Sequence, residues 1–181
     1  MDNSKVSMNL IVQDSTAITG SMKICNECTS KSCCTDFAEP LLFPSDLEKL
    51  DSIKKSGSEY VQEIMIDNKK INVIKKANDS KSCIFLNGEN NFCSIYENRP
   101  FDCRMYPFDI IWINDAYHWI VYTCSPNSDW GWAEQYLQKL EKDSQFEEVM
   151  ENREIFRLVT IDYISALTQV PSFAVLRKVE C

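Results

Sequence analysis

The chain has 181 residues, 44% of them hydrophobic, a formal net charge of −8 at pH 7 and a single histidine. That apolar fraction supports a real core in one domain, or one domain with a helical appendage, so bound metal need not be its sole support. The dispersed acidic charge repels phosphate backbones and argues against a nucleic-acid partner, and four glycines leave no P-loop and none of the fingerprint of a dinucleotide site.

In chain order, residues 1–24 read as a polar lead-in with a short strand around Leu10–Gln13. Its longest apolar piece, Leu10-Ile11-Val12, is too short for a signal peptide. Nowhere do about 18 apolar residues follow one another, so no membrane span is expected. The expectation is therefore a cytoplasmic chain whose thiols stay reduced. A knot of thiols follows, Cys25-x2-Cys28-x4-Cys33-Cys34. Ser45-Asp46-Leu47-Glu48 has the form of a capping box, opening a helix through Leu47, Leu50 and Ile53 that stops near Gly57.

Ser58–Met65 fits a short helix, whereas Ile64–Ile66 and Ile71–Ile74 fit a hairpin around Asp67-Asn68-Lys69-Lys70. Both cannot hold at Ile64 and Met65. Cys83–Leu86 reads as a brief strand closed by the turn-rich run Asn87–Asn91. Phe108–Ile113 and Tyr117–Thr123 form a hairpin around Asn114-Asp115. Trp132, Tyr136, Leu137 and Leu140 share one face of a helix. Phe156, Val159, Tyr163, Ile164 and Leu167 share a face of a second helix, which Pro171 terminates.

Eight of the nine cysteines fall between residues 25 and 124. In a reducing compartment, thiols at this density hold metal in preference to forming disulfides. Two residues between Cys25 and Cys28 let both sulfurs face one ion. Cys33 and Cys34 can share a centre only if the backbone turns sharply between them. Cys83, Cys93 and Cys103 are spaced by nine intervening residues each, which permits small loops around a common point, and Cys124 returns at the end of the second hairpin. One histidine excludes zinc sites that need two or three. All-thiolate ligation suits tetrahedral zinc or an iron–sulfur cluster, and eight thiols can serve two four-ligand sites or one cluster with cysteines to spare. Terminal Cys181 reads as an incidental thiol.

The run Cys83-Ile-Phe-Leu, then Cys93-Ser-Ile-Tyr-Glu-Asn-Arg99-Pro-Phe-Asp-Cys103-Arg104-Met-Tyr106-Pro-Phe, resembles the YkgJ-like cysteine-cluster family, described as zinc- or iron-chelating. The knot departs from that family's CxxCxxCC pattern, with four residues rather than two between Cys28 and Cys33. The resemblance covers about residues 25–125 and implies Cys25, Cys28, Cys33, Cys34, Cys83, Cys93, Cys103 and Cys124 as the metal ligands. Some proteins with this pattern are flagellin lysine N-methylases, similar to this chain in the cysteine motif alone and typically much longer.

Three kinds of function follow: a structural or redox metal-binding protein, an enzyme using the cluster, or a module that handles the ion or meets a protein partner. Arg99, Asp102, Arg104 and Tyr106 are the expected supporting residues around the thiols, with Arg99, Asp102 and Arg104 pairing to pin a turn after Pro100. Acid–base chemistry by Glu97 or Asp102 is the less favoured role. His118 reads as a packed strand residue, and Trp130 and Trp132 as core anchors rather than a binding patch. The expected fold is α+β: a small cysteine-rich metal-binding domain of short strands and hairpins over residues 25–125, with a helical extension over 126–181 packed on it. The expected centre is an iron–sulfur cluster, of the 4Fe–4S type, or zinc.

Overall fold

The computed structural model describes residues 39–53, 59–77, 81–89, 93–122, 129–165 and 173–180. The expected strand at Leu10–Gln13, the helix stop at Gly57 and the terminator Pro171 lie outside these residues. Helix α1 spans Pro44–Ile53, β1 Val61–Ile66, β2 Lys69–Ile74, α2 Phe101–Met105, β3 Phe108–Ile113 and β4 Ala116–Tyr122. Then come α3 Ala133–Glu141, α4 Phe146–Glu151, α5 Glu154–Ser165 and β5 Phe173–Lys178. The architecture is α+β, with two small antiparallel sheets ordered β1-β2 and β3-β4-β5. No helix among the described residues is long and apolar enough to cross a membrane.

Helix α1 begins two residues earlier than the capping box implies. Pro44 takes the first helical position, where its missing N–H is no loss. Asp46, two residues on, reaches back to accept the N–H of Phe43 at 3.1 Å, which is the reciprocal half of a capping box. Ser45 is thus inside the helix, and its hydroxyl donates to Glu148 at 2.5 Å.

The choice between a helix at 58–65 and a hairpin falls to the hairpin, with β1 and β2 paired from Val61↔Ile74 to Ile66↔Lys69. Asp67 and Asn68 adopt φ values of 48° and 60°, and Asn114 and Asp115 adopt 49° and 59°. Both hairpins therefore close through two residues in the left-handed region, which short Asp and Asn side chains tolerate. A short third element lies beside β2: Leu41 bridges Val73, and Ile74 donates to the carbonyl of Pro40 at 2.9 Å.

The expected β3–β4 hairpin is present, its second strand starting at Ala116 and its pairs running from Phe108↔Val121 to Ile113↔Ala116. β5 then adds an unforeseen third strand along β4. The second expected C-terminal helix, through Phe156 and Val159, is α5, and α4, set off from it at Asn152-Arg153, is an additional helix that was not foreseen. The main core joins residues from both halves of the chain, including Leu41, Phe43, Phe101, Met105, Trp119, Leu137, Phe146 and Phe156. Trp130 is a buried member of it and Trp132 packs against it, as core anchors should. His118 is a half-buried β4 residue whose Nδ1 lies 3.1 Å from the carbonyl of Ala116.

One ionic network ties the three-stranded sheet to α3. The indole N–H of fully buried Trp119 donates to Glu141 Oε1 at 2.8 Å. Arg177, opposite Trp119 in the β4–β5 register, donates to Glu141 Oε2 at 2.7 Å and to Glu134 Oε2 at 2.8 Å. Burial raises the Glu141 carboxyl, but hydrogen bonds from Arg177, Trp119 and the Glu180 backbone outweigh it and leave the pKa below its ordinary value. A depressed folded pKa adds stability that is present above the unfolded value, about 4.3, and lost as pH falls through the folded one. Glu141→Gln is therefore expected to cost about 1–3 kcal/mol at neutral pH. The gap should close as pH drops below about 4.3, which urea titrations at several pH values check.

Candidate metal centre

Three of the expected ligands, Cys83, Cys93 and Cys103, fall among the described residues, all of them free thiols and half-buried. Cys83 does not lie in a strand. It bridges Lys76 and opens a turn closed by the Leu86 N–H on the Cys83 carbonyl at 3.0 Å. Within that turn the Phe85 N–H points at Cys83 Sγ from 3.5 Å. Burial raises the Cys83 pKa; the Phe85 and Leu86 N–H groups lower it, while nearby Cys93 raises it. The N–H groups aimed at sulfur work toward a thiolate, but burial outweighs them and leaves the pKa above its ordinary value.

Cys93 is brought alongside by a bridge to Leu86 and by the Ser94 N–H on the Phe85 carbonyl at 2.8 Å. A 3-10 turn over Tyr96–Asn98 leads to Pro100 and into α2, where Cys103 occupies the middle position. Burial pushes the Cys103 thiol far above its ordinary value, reinforced by Asp102, Cys83, Cys93 and Asp46. The three thiols thus stand within electrostatic reach of one another. They also pack on one apolar cluster, Leu42, Leu50, Ile74 and Phe85, separate from the main core.

A crowd of sulfurs and carboxylates in apolar surroundings, each of them opposing a further negative charge at Cys103, fits a positively charged guest. Thiolates with N–H support are the chemistry of zinc and iron–sulfur sites. Among the described residues no group of three His, Cys, Asp or Glu side chains stands ready-made to hold an ion. Cys25, Cys28, Cys33, Cys34, Cys124 and Cys181 lie outside the described residues.

The supporting residues behave differently from the expected turn-pinning ion pairs. Arg104 pairs not with Asp102 but with Asp143, at 2.5 Å, because α2 turns its guanidinium toward the α3–α4 junction. Asp102 Oδ2 accepts the Leu41 N–H at 2.8 Å. Burial, then Asp109, hold the Asp102 carboxyl well above the usual carboxylate range. Arg99 lies over the Tyr96 ring at 3.5 Å and donates Nε–H to the Tyr96 carbonyl at 2.9 Å. Tyr106 precedes a cis peptide bond to Pro107 and is 37% exposed.

The residue that sequence reasoning missed is Asp46, which is fully buried. Its Oδ1 accepts the Phe101 N–H at 3.1 Å and the Gln145 side-chain amide at 2.7 Å. Burial raises its pKa, while the hydrogen bonds from Gln145, Phe43 and Phe101 act to lower it. The available signal was its place two residues after Pro44, where a carboxylate serves a helix start.

A family model described as "CxxCxxCC: Putative zinc- or iron-chelating domain" matches residues 24–125. No curated protein and no solved structure matches the chain.

Proposed function

Given that the chain belongs to this CxxCxxCC family of zinc- or iron-chelating type, we propose that it holds an iron–sulfur cluster through its clustered cysteines. The ligands are drawn from Cys83, Cys93 and Cys103 together with Cys25, Cys28, Cys33, Cys34 and Cys124. The observation that carries this reading is the convergence of three thiols from separate segments on one apolar cluster. Backbone N–H groups at Cys83 add to it. A donor set rich in sulfur, with one histidine in the whole chain, favours soft metals over oxygen-loving ones. Eight thiols exceed what one structural zinc requires, which tilts the reading slightly to iron–sulfur, while two zinc sites would use them equally well. Bound there, such a centre would supply one-electron chemistry and cross-link the segments that carry its ligands.

Anaerobic purification followed by a UV–visible spectrum and assays for iron, zinc and acid-labile sulfide tests the proposal. Brown protein with iron and sulfide in similar amounts is the expected result. Colourless protein with one or two zinc ions per chain would replace the cluster with a structural zinc site.

A further inference from the structure

Cys103 sits in a helix of five residues, too short to hold its own orientation. Each end of that helix is tied to other elements. On the N-terminal side, the Phe101 N–H is fixed on Asp46 of α1 and the Asp102 carboxylate on the Leu41 N–H. On the C-terminal side, Arg104 donates to Asp143 Oδ2 at 2.5 Å and to Gln145 Oε1 at 2.8 Å. The Arg104 carbonyl accepts the Tyr136 hydroxyl at 2.7 Å.

Gln145 is the hub of this arrangement. It is 7% exposed; its amide N–H donates to Asp46 Oδ1, and its Oε1 accepts from Lys49 at 2.8 Å as well as from Arg104. Its own backbone N–H is held by Asp143 Oδ1 at 2.9 Å. The two tethers of α2 therefore meet in a single side chain. Tyr136, Asp143 and Gln145 all lie beyond residue 125, where the family match ends.

We propose that Gln145 and Asp143 are positioning residues for the metal centre. They clamp α2 through Arg104 and Asp46, and so set how tightly the ion is held at Cys103. This rests on the reading of Cys103 as a ligand. Metal–ligand distances in sound sites fall within about 0.2 Å of their standard values, so loosening the helix that carries one sulfur weakens retention even where the fold survives. The part of the chain after the family match is then a component of the metal site.

The test uses the full chain carrying the metal with which it purifies anaerobically, and follows metal release to a chromophoric chelator. Gln145→Leu and Asp143→Asn are each expected to weaken retention about 10- to 100-fold, the range for partners that orient a ligand. Glu134→Gln, which removes a charge partner of Arg177 and makes no contact with the clamp, serves as a control with less than about a twofold change in retention. Retention matching wild type in the two clamp variants would overturn the proposal, as would retention that tracks Tm alike in all three. Wild-type protein without metal would instead defeat the reading of the thiols as ligands, and this proposal with it. Should Gln145→Leu fail to fold, Asp143→Asn decides, because that side chain is partly solvent-exposed and its substitution is isosteric.

Discussion

Asp46→Ala is expected to lower stability by about 3–5 kcal/mol, among the largest effects of any single substitution in this chain. The carboxylate accepts from the Phe43 N–H, the Phe101 N–H and the Gln145 amide while fully buried. Truncation leaves all of those donors unsatisfied away from water, and each orphan carries a penalty of about 1–3 kcal/mol. It also releases the start of α1 from the start of α2. Asp46→Asn should lose roughly half as much, since one oxygen can still serve Phe101 and Gln145 while the new amide faces the Phe43 N–H without an acceptor. Urea denaturation of the two variants checks the order. Equal losses in both would show that the carboxylate's charge and its Phe43 contact set the cost, because asparagine leaves no cavity and still accepts from Phe101 and Gln145.

Cys103→Ser is expected to abolish stable metal binding and with it the stability that metal confers. A ligand present at about 100 times its dissociation constant stabilises the folded state by about 2.7 kcal/mol, so the loss should be at least of that order. Hydroxyl is a poor ligand for soft metals, and Cys103 is bracketed electrostatically by Cys83 and Cys93. Metal per chain and Tm, each with and without chelator, provide the measurement: in wild type the chelator lowers Tm, and in Cys103→Ser it should change nothing. Cys181→Ser should leave both quantities at wild-type values. Full metal retention in Cys103→Ser would count directly against its place in the centre.

What the sequence conveyed depended on how local the determining interactions are. The β3–β4 hairpin was legible because its apolar strands flank two residues suited to positive φ, Asn114 and Asp115. Cys83, Cys93 and Cys103 stood out as a spaced motif, and all three pack on the cluster around Leu50 and Phe85. Cys83–Leu86 reads as a strand from its apolar residues, yet it folds as a turn in which the Cys83 carbonyl takes the Leu86 N–H. The side-chain sulfur competes there for the Phe85 N–H. β5 escaped notice because its place is set by β4, more than fifty residues earlier in the chain. The clamp escaped for the same reason: Asp46 meets Phe101 across 55 positions and Gln145 across 99. No periodicity marks a buried carboxylate whose partners are so distant in sequence.

Whether one metal centre engages the clustered cysteines is decided most simply by thiol accessibility. Anaerobic metal-loaded protein would be alkylated under native conditions, before and after chelation, and each cysteine scored by mass spectrometry. Cys83, Cys93 and Cys103 are expected to resist labelling until the metal is removed and then to react, while Cys181 reacts in both states. Labelling of Cys83, Cys93 and Cys103 at the same rate with and without metal would refute a centre built on these thiols.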